Sequence, residues 1–478
     1  MVLPTYFGFR EAVFKDDGFY LNGEHVKLIG LDRHQMFPYI GGAAPARLQR
    51  KDADILKYEL GLNIVRTSHY PQSPHFLNRC DEIGLLVLEE IPGWQFIGDN
   101  DWKALSFRDV EAMITRDRNH PSIVLWGVRI NESWDDEAFY TATNKLAHDL
   151  DPTRQTGGIR NFITSQFLED VFTFNDFSNT IVEPRVTPHL VTEFSGHMFP
   201  TKTFDQEERQ VEHALRHTRI QNQQFGMRNV CGAIGWCAFD YDTHRDFGSG
   251  DRICYHGVMD IFRLPKFAAA FYETQGMSEP VVRIASFWTP GDRSGGGNDP
   301  LHVYSNCDEI EVFVGDDSFG RYQPDRDNFP HLPHPPFRVD GITLGSMSGK
   351  YYQELRVVGY KDGQPAAEQR IEADGIPKQL ILQPDDAQLN ADGADITRLV
   401  FKLVDRYGNR LSFAIDIVYF GDRRTRRADR RQPVPAGRRA GGAVRQGGRI
   451  ASPAWSRSAP APRGCRHRRR SPSGECAV

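Results

Sequence analysis

The chain has 478 residues, 39% of them hydrophobic, 25% charged and 11% aromatic, with a net charge of −5; at ~150 residues per domain this is ordinary globular usage for about three domains. No apolar run reaches the ~18 residues of a membrane-spanning helix, so no spanning helix is predicted, and no basic stretch leads into an apolar core at the N-terminus, so no secretory signal is read. Charge is uneven: residues 421–478 carry sixteen Arg against three acids, leaving 42 basic and 60 acidic side chains in 1–420, a body predicted to repel nucleic acid.

In chain order, residues 1–19 read as a remnant strand and linker. From 20 to 275, β-branched runs at 26–31, 63–67, 85–90, 123–130, 156–160, 171–174, 190–193 and 232–236 alternate with amphipathic stretches at 47–60, 74–83, 107–119, 136–150 and 206–224. Eight strands alternating with helices over such a length predict an α/β fold, a (β/α)8 TIM barrel with a parallel sheet. A doubly wound open sheet is the alternative. It favours a Gly-rich phosphate turn after the first strand, where this chain has Gly30-Leu31-Asp32-Arg33-His34.

Between 276 and 420 the period changes to two, in runs at 281–287, 302–304, 309–314, 352–360, 380–383, 399–404 and 412–419 separated by turns such as Lys361-Asp362-Gly363. This predicts an antiparallel β-sandwich of the immunoglobulin kind. Residues 421–478 lose all apolar periodicity and read as a disordered Arg-rich tail. An RNA-binding arm and a solvated linker both fit. Translation of a GC-rich gene in another reading frame is the preferred reading. The seven cysteines are odd in number, scattered and without C-x-x-C spacing, which predicts a reducing, cytoplasmic compartment and neither disulfides nor a zinc site.

Barrel enzymes draw catalytic groups from the C-terminal ends of their strands. Here strand one ends in Asp32-Arg33-His34, strand two in Arg66-Thr67-Ser68-His69-Tyr70 and strand three in Glu89-Glu90. Strand four ends in Asn131-Glu132, strand seven in Glu193, and strand eight delivers Trp236 and Asp240. Two carboxyls on separate strand ends fit glycoside hydrolysis. That reaction needs one acid to protonate the leaving oxygen and one carboxylate to attack the anomeric carbon or activate water. A lone strand-end Glu is more often a helix cap or surface acid. The Asn131 amide beside Glu132 could donate to a sugar 2-hydroxyl.

Asp32-Arg33-His34, Arg66-Thr67-Ser68-His69-Tyr70-Pro71, Cys80-Asp81-Glu82-Ile83-Gly84-Leu85, Arg118-Asn119-His120-Pro121-Ser122-Ile123, Trp126-Gly127 with Asn131-Glu132, and Thr192-Glu193-Phe194 occur in that order. Together they resemble glycoside hydrolase family 2, which includes β-galactosidases, β-glucuronidases and β-mannosidases. The resemblance implies a retaining exo-acting enzyme on a carbohydrate substrate, with Glu132 as acid/base and Glu193 as nucleophile. Arg66 would hold Glu193 ionised, or be a structural ion pair. The neighbouring carboxylate would raise the pKa of Glu132. His34 and His69 would exchange hydrogen bonds with sugar hydroxyls, or be ordinary satisfied histidines; Trp236 would offer a ring face to the sugar, or pack in the core; and Trp94 would line the aglycone side, or pack in the core or as a lid.

Departures from the family pattern narrow the expectation. Ile91-Pro92-Gly93-Trp94-Gln95 replaces the Glu and His of metal-dependent galactosidases, so no magnesium, no other metal and no cofactor is predicted. No Asn-x-Lys triplet is present, which argues against a uronic acid bound through that device; β-galactosidase is the leading expectation, with β-glucuronidase, β-mannosidase or a furanosidase as the alternatives. Phe174-Asn175-Asp176-Phe177 stands where many members have a Tyr that supports the nucleophile, leaving that support unassigned. The family's N-terminal jelly roll and immunoglobulin-like domain have no counterpart, so an N-terminal truncation is expected, and an inactive carbohydrate-binding fragment is the alternative. Neither a nucleic-acid nor a membrane partner is predicted, and a homo-oligomer is compatible with the sequence.

Overall fold

Period-two alternation sorts the side chains of each barrel strand between the interior and the helical coat. The structure is a computed structural model that describes residues 7–195, 199–245, 248, 250–289, 299–342, 353–414, 416–418, 434–435 and 442–446. Eight parallel strands form its centre: β1 (Leu28–Asp32), β2 (Ile64–Arg66), β3 (Leu86–Glu90), β4 (Ile123–Gly127), β5 (Gln155–Gly157), β6 (Phe172–Asp176), β7 (His189–Phe194) and β8 (Val230–Gly235). Their order is β5-β4-β3-β2-β1-β8-β7-β6. Parallel bridges Gly157–Val171 and Arg160–Phe174 bring the two ends together. The open-sheet alternative is thereby excluded. Every expected barrel strand is present, with shifted ends. The expected strand 123–130 stops at Gly127, because the chain then bends so that Asn131 bridges Trp94.

Helices α1 (Ala46–Asp54), α2 (Pro74–Ile83), α3 (Asn100–Asp117), α4 (Glu137–Leu150), α5 (Glu207–Gly226) and α6 (Phe267–Gly276) coat the barrel. Local chemistry sets their ends. Ser73 caps α2 by accepting from the His75 amide, Pro74 occupies its first turn, and Gly84 closes it at φ 68°. Asp99 caps α3 through the Trp102 amide, starting that helix ahead of the expected residue 107. The expected helix 47–60 widens into a π-turn at Ile55–Glu59. No helix follows β5 or β6 among the described residues, so the barrel is (β/α)8-like rather than complete.

The barrel interior is apolar below and charged above. Leu28, Ile64, Leu86 and Leu88 point inward near the strand starts, and Asp32, Arg66 and Glu90 follow at the strand ends. Gly30 lies between Leu28 and Asp32, where a Cβ would stand 2.4 Å from the Ile64 carbonyl oxygen. Ala12–Lys15, Gly18–Leu21 and Glu24–Val26 form a three-stranded antiparallel sheet rather than a linker. Its Phe14 and Phe19 pack into the apolar layer and cover the floor of the barrel.

Two antiparallel sheets follow, one of Val282–Ile284, Leu301–Ser305 and Phe337–Val339, the other of Glu309–Val314, Asp317–Tyr322, Leu355–Lys361 and Gln364–Ile371. Both contribute to one core around Trp288, Val303, Val312 and Val357. Gln379–Pro384 and Ile396–Val404 belong to a third sheet instead, because Val400 packs on Ile261 and Phe262 and Ile396 packs on Phe37 and Leu48 of the barrel domain. Within 421–478 the structure describes two short strands, Val434–Pro435 against Ile417–Val418 and Gly442–Gln446 against Ile396–Val404. The rest of that expected tail, with Cys465 and Cys476, lies outside the described residues.

Candidate active site

A pocket of about 530 Å³ opens at the C-terminal ends of the strands. His34, His69, Trp94, Asn131, Glu132, Glu193 and Trp236, all expected from the sequence, line it. Arg66 lies beneath it, fully buried. Asp240 does not reach the pocket. It is buried against Lys266 at 2.6 Å and accepts from the Gly257 amide.

Glu132 and Glu193 meet through one side chain. The Asn175 amide nitrogen, at the end of β6, lies 3.2 Å from Glu132 Oε1 and 3.0 Å from Glu193 Oε2. Those two oxygens are therefore at most about 6.2 Å apart. The two carboxyls thus stand close enough to act on one glycosidic bond, as paired carboxyls ~5–9.5 Å apart do. Asn175 occupies the position whose support for Glu193 the sequence left unassigned. An Asn at a strand end reads as a turn former, and only the converging strands reveal its partners.

Arg66 organises the floor. Its Nη1 donates to Glu193 Oε2 at 3.1 Å, its Nε to Glu90 Oε1 at 3.1 Å, and its Nη2 to Asn131 Oδ1 at 2.8 Å. It also lies 3.2 Å from Asp32, although neither Asp32 oxygen has an aligned hydrogen-bond donor. The ion-pair and positioning readings of Arg66 thus describe one group. Because Asn131 Oδ1 accepts from both Arg66 and Asn175, its amide must point away from them, and that Nδ2 has no partner.

Glu132 sits on a backbone kinked at φ 56°, held by its amide donating to the Ile159 carbonyl. Trp94 Nε1 and Gln95 Nε2 donate to its Oε2 at 3.0 and 3.2 Å. Trp94 thus touches the carboxylate as well as lining the pocket mouth. Glu193 is 4% exposed. Burial first, then the Glu132 charge, push it up to about 8, while Arg66 pulls the other way. Glu193 is the deeper carboxyl of the two, and Glu132 faces the mouth.

Burial lowers both His34 and His69, so both imidazoles are neutral. His34 Nδ1 lies 3.1 Å from the Tyr70 hydroxyl, and His69 Nδ1 lies 2.9 Å from Arg66 Nη2 and 3.2 Å from Glu90 Oε1. The Trp236 ring is stacked on His69 at 5.2 Å between centroids, which occupies one of its faces. Tyr241, Asp242, Thr243 and His244 complete the wall from the segment after β8, none of them marked by a motif. Among the described residues, no His, Cys, Asp and Glu cluster has the arrangement to hold a metal ion, and no helix is long and apolar enough to cross a membrane.

Comparison with known proteins adds to this geometry. Residues 13–274 match the TIM barrel domain of glycosyl hydrolases family 2, and residues 296–367 match a domain of unknown function, DUF4982. A beta-galactosidase of Thermoanaerobacterium thermosulfurigenes is 54% identical over 431 residues, covering 86% of this chain and 60% of that protein. One of Rhizobium meliloti is 40% identical over 466 residues, covering 88% and 60%. The chain thus spans about 60% of the length of these relatives. Among solved structures, a beta-glycosidase from Bacteroides vulgatus superposes with a TM-score of 0.70 at 23% identity, covering 86% of this chain and 58% of that one. Beta-glucuronidase 3 of Bacteroides uniformis superposes at 0.64 and 26% identity, covering 86% and 57%.

Proposed function

The chain belongs to the glycosyl hydrolases of family 2, and from that premise we propose that it is a retaining exo-β-glycosidase acting on terminal β-D-galactosides. The observation that carries the reading is the Glu132–Asn175–Glu193 bridge in one strand-end pocket. The galactoside preference is supported by the beta-galactosidases at 54% and 40% identity.

In the first step Glu193 attacks the anomeric carbon as Glu132 gives its proton to the departing oxygen. Arg66 and Asn175 keep the attacking oxygen in place and favour its ionised form. The proton the pair holds near neutrality must therefore sit on Glu132 once substrate displaces water at the mouth. Esterification removes the Glu193 charge, and Glu132 then takes a proton from water, which attacks the same carbon and restores the β-anomer. The unpartnered Asn131 Nδ2 is placed to donate to the sugar 2-hydroxyl. Neutral His34 and His69 supply further sugar contacts, Trp236 a pocket wall backed by His69, and Trp94 the aglycone edge.

The test is a panel of nitrophenyl glycosides. The galactoside is expected to be cleaved with retention, read by NMR of the first-formed sugar, and in preference to the glucuronide and mannoside. No turnover of any member sinks the reading. Activity also needs one proton on the carboxyl pair. Below about 8 the pair keeps it, and above that value Glu193 ionises as well and no proton is left to donate. We expect kcat/KM to fall about tenfold per pH unit on the basic side of that point.

Two smaller readings accompany this one. The pair of antiparallel sheets over residues 282–371, packed across a shared core, supports an immunoglobulin-like sandwich. Five buried, unpaired cysteines among the described residues support a reducing, cytoplasmic compartment.

A further inference from the structure

Two large aromatic side chains lie exposed beside the acid/base and take no part in the pocket. Trp134 is two residues past Glu132 and 71% exposed. Phe162, from the segment after β5, is 40% exposed. The two rings stack at 4.8 Å between centroids with 21° between their planes. Phe162 therefore backs one face of the indole and leaves the other bare.

The surroundings hold this pair in place. The Glu132 amide donates to Ile159, which joins the two segments at the acid/base itself. Asp135 then staples them: its carboxylate accepts from the Arg129 guanidinium, the Ser165 hydroxyl and the Gln166 amide. The Gln166 side chain donates in turn to Glu137. Single exposed aromatics on a protein surface need no explanation. A stacked pair, ringed by fixed polar groups and tied to the catalytic carboxyl, is a built surface of a kind that meets a ring with one apolar face and polar edges.

Resting on the glycosidase reading above, we infer that Trp134, backed by Phe162, is the platform for the ring of the leaving group. The preferred substrates are then β-galactosides joined to a second pyranose, that is, di- and oligosaccharides rather than galactosides of small alcohols. The acid/base lies on the leaving-group side of the scissile bond by its role. Trp134 lies two residues along the segment that carries Glu132, and Phe162 lies three residues along the segment that the Glu132 amide binds, so the stacked pair borders the acid/base from both. The same surface would receive an acceptor sugar in the second step and so promote transfer over hydrolysis.

Two measurements on the full chain decide it. In the kinetic arm, Trp134→Ala is expected to lower kcat/KM for lactose about tenfold and to leave galactosyl fluoride, which has no second ring, within about twofold of the parent. Trp134→Phe is expected to restore most of the loss. In the binding arm, calorimetry with cellobiose, which contains no galactose, is expected to show weak saturable binding that Trp134→Ala removes. Equal losses on lactose and the fluoride, no loss on lactose, or cellobiose binding indifferent to Trp134→Ala each overturns the inference. Failure of the galactosidase reading shows separately, as no turnover of either substrate by the parent chain, while cellobiose still reports on the platform.

Discussion

Glu193→Ala is expected to lower kcat on an aryl β-galactoside by about four orders of magnitude or more, because no other described carboxylate takes the same place against the pocket. Added azide should restore turnover and give the α-galactosyl azide, since the small anion fills the vacated space and attacks from the same side. A residual rate that azide leaves unchanged would deny Glu193 its role. Glu193→Gln separates chemistry from folding. The native carboxyl binds its proton up to about 8, against an ordinary value near 4.5. The folded state thus holds a proton that the unfolded state has released, and stability falls as pH rises through that interval. The amide carries no such penalty. Glu193→Gln should therefore be inactive at every pH yet gain melting temperature over the parent at pH 9, with little difference at pH 4.

Arg66→Met should be the most damaging single change to the barrel itself. One guanidinium, with no exposed surface, serves Glu193, Glu90 and Asn131 directly and lies 3.2 Å from Asp32. Removing it leaves buried carboxyls without their cation, a class of change that costs about 3–5 kcal/mol. Asp32 is already held well above its ordinary range by burial, with Arg66 its chief source of relief. Unpaired, these carboxyls take up protons in the folded state, so the deficit should grow as pH rises and shrink in acid. Denaturant titration at two pH values checks the magnitude and the sign together. Arg66→Lys should recover part of the stability but little activity, since a single ammonium cannot hold Glu193, Glu90 and Asn131 at once.

The barrel was legible because its signals are local and repeated. Each strand run is short and β-branched, and Ser73-Pro74 and Gly84 punctuate α2 in the chain itself. The two glutamates were legible for the same reason, each lying at the end of such a run. What escaped depends on convergence between distant segments. Asn175 contacts Glu132 and Glu193 only because β4, β6 and β7 close on one axis. The 241–244 segment has no periodicity and owes its place to the closure of β8 against β1. Apolar alternation marks Leu382 and Leu399 as strand residues but does not say which sheet they join, which is why the third sheet read as part of the sandwich. The rise on Glu193 was not legible because depth, the first of its causes, has no one-dimensional trace. Trp236 kept its place but lost a face to His69, a neighbour contributed by another strand end.

The apolar plug of Phe14 and Phe19 under the charged layer makes the cylinder a blind well. Whatever enters must back out by the mouth it came through, so no polymer can be threaded past Glu193. An incoming molecule and a departing one therefore share a single opening, and the former cannot enter until the latter has left.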